Sequence, residues 1–329
     1  MLKHVILLCL FATDLHLARA TEDITVITSI LNPGTPSAAE GYNFQNTQEP
    51  VTGLTTATNS YAVLGVADHV FVRRNAVSLD QSSVWYASSG VSTDLSGVHQ
   101  NDYGTLLLSN NLNAGSDNTF ANSGTGSQVG NIERLDFTWN SPITVTNSFA
   151  LAVFDRGAVG LHDSFAIAAI LSVDAAGNPT SFGTSLHVSA GWGGTANPVS
   201  DFSYRLFRYN TGDVMNNSTA NSETNTQGIG GVVIRNTDLS ITSGTQIYGY
   251  SLMANDVTAT NSTQLLDWTN STYYPTNTDG NTGGGGIDLA AVNGIVFIAV
   301  PEPATSALAL LALSAVGGSA LLRRQRAKI

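Results

Sequence analysis

Apolar residues recur at every second position through much of this chain. Leu135, Phe137 and Trp139 fall on one face of a segment whose other face carries Asp136 and Thr138. That is the period of a β-strand, in which successive side chains point to opposite faces. Phe149, Leu151 and Val153 repeat it, as do Phe165, Ile167, Ala169, Leu171 and Val173. The pattern predicts further strands at 24–31, 61–74, 84–87, 104–109, 202–209, 232–235, 246–253 and 295–300. Turn clusters such as Asn32-Pro33-Gly34 and Asn210-Thr211-Gly212-Asp213 punctuate them. Many short strands joined this way predict a mainly β fold, an antiparallel β-sandwich of jelly-roll type, as one domain over 21–300. No amphipathic helix is predicted there. Residues 210–231, rich in Asn, Ser, Thr and Gly, are expected to form a long surface loop.

The two ends break the alternation. A basic start at Lys3 and His4, an apolar run from Val5 to Ala12, and Ala18-Arg19-Ala20 predict a signal peptide over 1–20, cut after Ala20. Ala18 and Ala20 are the small residues that such a cut requires. At the other end, Val300-Pro301-Glu302-Pro303 leads into residues 304–322, which carry no charge. As a helix this stretch would span about 28 Å, close to the hydrocarbon thickness of a bilayer. Residues 323–329 then bring Arg323, Arg324, Arg326 and Lys328. Such a cluster stays on the cytoplasmic side, so everything before the transmembrane segment is expected outside.

This tail, with Pro301, Glu302 and Pro303 followed by an apolar span and an arginine-rich end, resembles the PEP-CTERM sorting signal of Gram-negative bacteria. The resemblance covers the residues from Val300 onward. It implies export through the secretion translocon, transient anchoring in the inner membrane, and recognition by an exosortase, a membrane-embedded cysteine transpeptidase-like protease. Cleavage is implied near Pro301-Glu302-Pro303. Proteins with this tail accompany exopolysaccharide, biofilm or floc formation and are often glycosylated. They share the tail rather than a fold.

Composition narrows the classes of function. Between Thr21 and Glu302 seven arginines face 23 acidic residues, a net charge of −16, and both lysines (Lys3 and Lys328) lie outside this stretch. An acidic surface repels phosphate backbones, so no nucleic acid is expected as a partner. The single cysteine, Cys9, falls in the signal segment, which leaves the passenger without disulfides or thiol chemistry.

Catalytic signatures are not found. The sequence has no Gly-x-Ser-x-Gly turn, no His-Glu-x-x-His pair and no phosphate-cradling loop. His69, His99, His162 and His187 are scattered singly. Asp155-Arg156, ahead of the 157–164 loop, reads as a buried Asp–Arg pair that clasps the loop entrance; alternatively, Asp155, His162 and Asp163 read as metal ligands. Asn277, Asp279 and Asn281 resemble part of an oxygen-rich calcium loop, which makes Ca2+ the one cofactor in view. Trp192 in a glycine-rich loop, Trp268, Tyr273 and Tyr274 offer faces on which sugar rings stack. Trp139 alternates with core residues and is expected inside.

The expectation is therefore a non-enzymatic surface or extracellular-matrix component, with extracellular polysaccharide as its partner. A carbohydrate-binding module and a secreted glycan-active enzyme are the alternatives. Asn-x-Ser/Thr triplets at Asn216, Asn217, Asn261 and Asn270 are what this composition produces by itself.

Overall fold

A computed structural model describes residues 21–29, 32–33, 47–48, 50–75, 82–87, 103–123, 130–194, 196–209, 215–216, 222–280 and 284–300. Residues 1–20, with Ala18 and Ala20, lie outside the described residues. So does the tail, with Pro301, Glu302, Pro303, the predicted span 304–322, Arg323, Arg324 and Arg326. Among the described residues no helix is long and apolar enough to cross a membrane.

Nearly all of the regular structure among the described residues is strand. It begins with β1 (Glu22–Ser29), β2 (Asn32–Pro33), β3 (Thr47–Gln48), β4 (Val51–Thr56), β5 (Ser60–Val66), β6 (His69–Arg74) and β7 (Ser83–Ala87). After α1 (Tyr103–Leu107) come β8 (Asn111–Asp117), β9 (Ile132–Thr144), β10 (Phe149–Gly157), β11 (Phe165–Val173), β12 (Pro179–Phe182) and β13 (Leu186–Val188). Then follow β14 (Val199–Tyr209), β15 (Met215–Asn216), β16 (Ser222–Arg235), β17 (Gln246–Ala254), α2 (Ser262–Leu266), β18 (Ala290–Ala291) and β19 (Ile295–Val300). All the strand pairings described are antiparallel.

One sheet closes on itself. Its order runs β1-β4-β5-β19-β10-β16, and β16 pairs back to β1 through Glu22↔Val233 and Asp23↔Val232. The expected antiparallel β architecture is present, but a six-stranded barrel stands where an open jelly-roll layer was expected. The cause lies in β16, which has two partners on one edge. Its first half pairs with β14, from Val199↔Ile229 to Arg205↔Ser222, and its second half is left for β1. From β14 the sheet continues through β7, β8 and β18.

A ring of six strands leaves a narrow interior, which selects small and large residues in combination. Ala150, Ala152 and Phe154 of β10 point inward beside Ile24, Leu54, Tyr61, Ile229, Val233, Ile295 and Phe297. Gly231 is part of the fit: a β-carbon there would stand 2.6 Å from Ile24 Cδ1 and 3.0 Å from Phe154 Cδ1. Burying one such aromatic or aliphatic side chain contributes about 1.5–3 kcal/mol.

The alternate residues of β10, Phe149, Leu151 and Val153, face the other way. They pack with Leu135, Phe137, Phe165, Ile167, Tyr250 and Leu252 of the second sheet, ordered β12-β11-β17-β9-β6. Both faces of β10 are thus covered, and every residue in it is buried. The second sheet curls strongly. Arg73 on its β6 edge donates from Nη2 to Asn178 Oδ1 (3.0 Å) in the turn leading to β12, at the opposite edge.

Three local expectations need correction. Residues 61–74 form two strands in different sheets, because the chain turns at Ala67 and Asp68. Tyr103–Leu107 is a short helix rather than a strand; one turn suffices to bury Tyr103 and Leu107. Residues 222–231 are strand rather than loop, and their glycines serve close packing against β10 and His162.

The ends of this architecture share a location. β10 begins opposite Arg235 at Ala150 and ends opposite Gly228 at Gly157. β1 starts beside the end of β16, and β19 ends beside the start of β10. The first described strand therefore starts, and the last one ends, at a single end of the barrel. The loop between β10 and β11 lies at the other.

Candidate functional site

That opposite end holds a concentration of charged side chains. Asp155 and Arg156 are neighbours on a strand, so they point to opposite faces and do not pair with each other. Arg156 enters the space between β7, β8 and β14. Its Nη2 donates to Asp117 Oδ1 (2.8 Å) and Asp288 Oδ2 (2.5 Å), and its Nη1 donates to Gln227 Oε1 (2.5 Å). The guanidinium lies 5.3 Å from the Trp85 ring centroid and 3.5 Å from that of Tyr204. Burial holds the Asp288 carboxyl well above the usual carboxylate range; Arg156 opposes that shift, and the charges of Asp117 and Asp155 add to it.

Asp155 is the clasp. Its Oδ1 accepts from the backbone N–H of Asp288 (2.7 Å), and its Oδ2 accepts from the N–H of Asp163 (3.1 Å). His162 Nδ1 lies 3.3 Å from the same Oδ2, and Nε2 lies 2.9 Å from Asn197 Oδ1. The expected Asp155–Arg156 pair does not form, because neighbours on a strand face opposite ways; Asp155 closes the loop through backbone N–H groups and His162 instead. Both ring nitrogens of His162 are engaged, and among the described residues no group of three or more His, Cys, Asp or Glu is arranged to hold a metal ion. Burial opposes a positive charge on His162, but the hydrogen bond and charge of Asp155 outweigh it and raise the imidazole pKa. Asp163 is pushed up to about 6 by burial and then by the negative charge of Asp155.

Trp192 completes this end. Its ring stacks on His162 at 4.8 Å between centroids and meets Phe165 edge-on at 5.8 Å. Its Nε1 donates to the carbonyl of Asp163 (2.8 Å). Only 6% of the residue is exposed, so its faces are occupied by the protein rather than offered to a sugar. The loop thus fixed presents Val159 and Leu161 outward, 42% and 72% exposed.

The other aromatic candidates divide. Tyr274 is wholly buried, its hydroxyl donating to the carbonyl of Leu265 (3.0 Å), which corrects its assignment as a stacking face. Trp268 and Tyr273 pack against the core and keep part of their surface exposed. Trp139 is buried, as its alternation predicts, against Tyr250.

The calcium-like loop is tied by other means. Asn122 Oδ1 accepts from the N–H of Thr278 (2.6 Å), while its Nδ2 donates to the Pro275 carbonyl (2.8 Å) and to Glu133 Oε1 (3.3 Å). Thr278 Oγ1 donates to Asp256 Oδ2 (2.8 Å). Asn277 is exposed, Asp279 accepts from Gly285 N–H through its main-chain oxygen (3.3 Å), and Asn281 lies outside the described residues. Glu133 is 3% exposed, and burial pushes its carboxyl up to about 7.

The partners Asp117, Gln227 and Asp288 of Arg156 went unread in the sequence, as did Asn197, Asn122, Glu133 and Asp256. They come from segments far apart in the chain. The one available signal was scarcity: seven arginines in a long acidic stretch each have many carboxylates to attract.

Residues 299–326 match the PEP-CTERM protein-sorting motif, as the resemblance of the tail led us to expect. The match begins at Ala299, inside β19, and so takes in the last two residues of the barrel strand. The motif implies an exosortase as processing partner, export, and transient membrane sorting toward the cell surface. No curated protein and no solved structure matches the chain.

Proposed function

We propose that this protein is a non-enzymatic component of the bacterial surface or extracellular matrix, delivered by an exosortase after its signal peptide is removed. The observation that carries this reading is the junction of β19 with the sorting motif. The barrel strand runs into the motif without a linker, and β1 starts at the same end. A domain tethered there stands on the membrane with the opposite end outward. That outward end presents Val159 and Leu161 on a loop fixed by Asp155, His162 and Trp192. The carboxylates of Asp117, Asp155 and Asp288 there are engaged by Arg156, by backbone N–H groups and by His162, the arrangement of a rigid scaffold.

The role is structural or adhesive, in a matrix of exopolysaccharide, with residues 304–322 as a transient membrane anchor. The test is mass spectrometry of the protein recovered from the cell surface and the medium. A C-terminus near Pro301-Glu302-Pro303 supports the reading, and an intact tail confined to the inner membrane overturns it. Hydrolysis of polysaccharide by the purified protein would remove the non-enzymatic part alone.

Carbohydrate binding is a second reading, carried by the partial exposure of Trp268 and Tyr273. Loss of retention on a polysaccharide column in Trp268→Ala supports it. Equal elution of the protein with and without the polysaccharide removes it.

A further inference from the structure

The sorting motif starts where the two-sided support of β19 stops. Ile295, Val296 and Phe297 are fully buried, and Phe297 and Ile298 are paired on both sides, with Val63 and Ala62 of β5 and with Ala150 and Phe149 of β10. Phe149↔Ile298 is the last pair with β10. Beyond it, Ala299 faces Tyr61 and Val300 faces Ser60 on β5, and the other side offers one bond, from Ala299 N–H to the Ser148 carbonyl (2.8 Å). Exposure rises along the strand to 45% at Val300. β19 is therefore divided into a locked inner part and a releasable outer pair. The match to the sorting motif begins with that pair.

A protease that cuts a peptide holds it extended, using the backbone N–H and C=O groups on both sides of the scissile bond, as in strand addition. A residue cannot give the same backbone groups to a barrel ladder and to a protease cleft. With Pro301 following Val300 directly, the folded barrel occupies the residues that the enzyme must grip. Releasing Ala299 and Val300 frees about 7 Å of extended chain without disturbing the core. Local opening of this kind is cheapest at strand ends with few buried contacts.

We propose that exosortase acts on the folded domain only after Ala299 and Val300 peel away from β5 and Ser148, so that this two-residue opening gates the sorting step. The gate rests on the reading that an exosortase processes this tail. It makes Ser60, Tyr61 and Ser148 positioning residues for a reaction they do not touch.

The test is the rate of tail removal, followed by pulse-chase in cells that make the exosortase. The paired variant Ser60→Cys/Val300→Cys places two thiols at facing positions, within the reach of a disulfide in antiparallel strands. Its only other cysteine is Cys9, outside the passenger, so the engineered bridge has no competitor there. The bridged protein is expected to lose its tail about tenfold more slowly than Val300→Cys alone, with the rate restored by a reductant. A Gly-Ser-Gly-Ser spacer inserted after Val300 needs no bridge and is expected to speed tail removal over the unaltered protein. Equal rates for the bridged and single-cysteine proteins, or a spacer that brings no gain, overturn the gate while leaving exosortase sorting intact. If the unaltered chain keeps its tail just as a Pro301→Ala/Glu302→Ala/Pro303→Ala variant does, the sorting reading itself falls, and the gate with it.

Discussion

The imidazole of His162 lies against the bare backbone of Gly230, in the space that a β-carbon on that glycine would occupy. Strand β16 therefore needs glycine there for the ring to reach Asn197 and Trp192. Gly230→Ala is expected to cost about 1–3 kcal/mol, the range for overpacking a filled core. Gly65→Ala is the control, since its β-carbon meets only Val296 Cγ1 at 3.6 Å, an ordinary contact. Urea denaturation midpoints of the two variants should separate clearly.

Asp136 is wholly buried on β9 and is held by Arg134 Nε (2.5 Å), Arg73 Nε (2.8 Å) and Ser251 Oγ (2.6 Å). Arg134 in turn donates to the Leu265 carbonyl, which ties helix α2 to the sheet. Removing one member leaves buried charge uncompensated, so Asp136→Ala is expected to cost about 3–5 kcal/mol. Arg73→Ala should cost less, because its side chain is 19% exposed and water replaces part of what is lost. Thermal unfolding of both variants gives the order.

Around Arg156 the two carboxylates on Nη2 are not equivalent. Burial already favours the protonated form of Asp288. Asp288→Asn keeps an oxygen for Arg156 and is expected to stay within about 1 kcal/mol of the unaltered protein, the net size of one hydrogen bond. Arg156→Met strands Asp117 and Asp288 without their cation and should cost about 3–5 kcal/mol. Comparable losses for both variants would contradict this account.

Stability should fall as pH rises from acid to neutral. Glu133 is raised by burial from its ordinary 4.5 to about 7, and Asp163 is raised by burial and Asp155 from 3.8 to about 6. Between each pair of values the folded protein binds protons that the unfolded chain has released, so raising the pH favours unfolding. The raised pKa of His162 acts in the same sense: its contribution is full below 6.5 and is lost as pH passes its folded value. Urea midpoints should be higher at about pH 5 than at about pH 8. Glu133→Gln should flatten much of that slope.

The strands were legible where one face is apolar and the other polar, as in Leu135, Phe137 and Trp139. The barrel was not. Its closure depends on β16 leaving half of one edge to β1, and Ser222 to Gly231 carry only Thr224, Thr226 and Ile229 as β-branched residues, diluted by polar residues and three glycines. The sequence Gly228-Ile229-Gly230-Gly231 looks like a flexible loop because the side chains that fill its space, His162, Phe154 and Ile24, belong to other segments. The same distance hid the partners of Arg156. Asp155 stood out at its loop entrance, but its partner was misjudged, since alternation along β10 turns Arg156 to the opposite face. The tail was the clearest passage of all, since its signal is a linear order of residues that needs no folding to be read.

Glu22 on β1 reaches Arg235 on β16, 213 positions later, at 2.9 Å, and β19 supplies the strand between β5 and β10. No stretch of chain emerging first into a new compartment holds both the opening and the closing strand of the ring. The pairings of β1 with β16 and of β5 with β19 must wait for loop closure over more than half of the sequence. The topology thus keeps the nascent polypeptide open and threadable for as long as it is crossing a membrane. It postpones a finished barrel until the last strand has arrived on the far side.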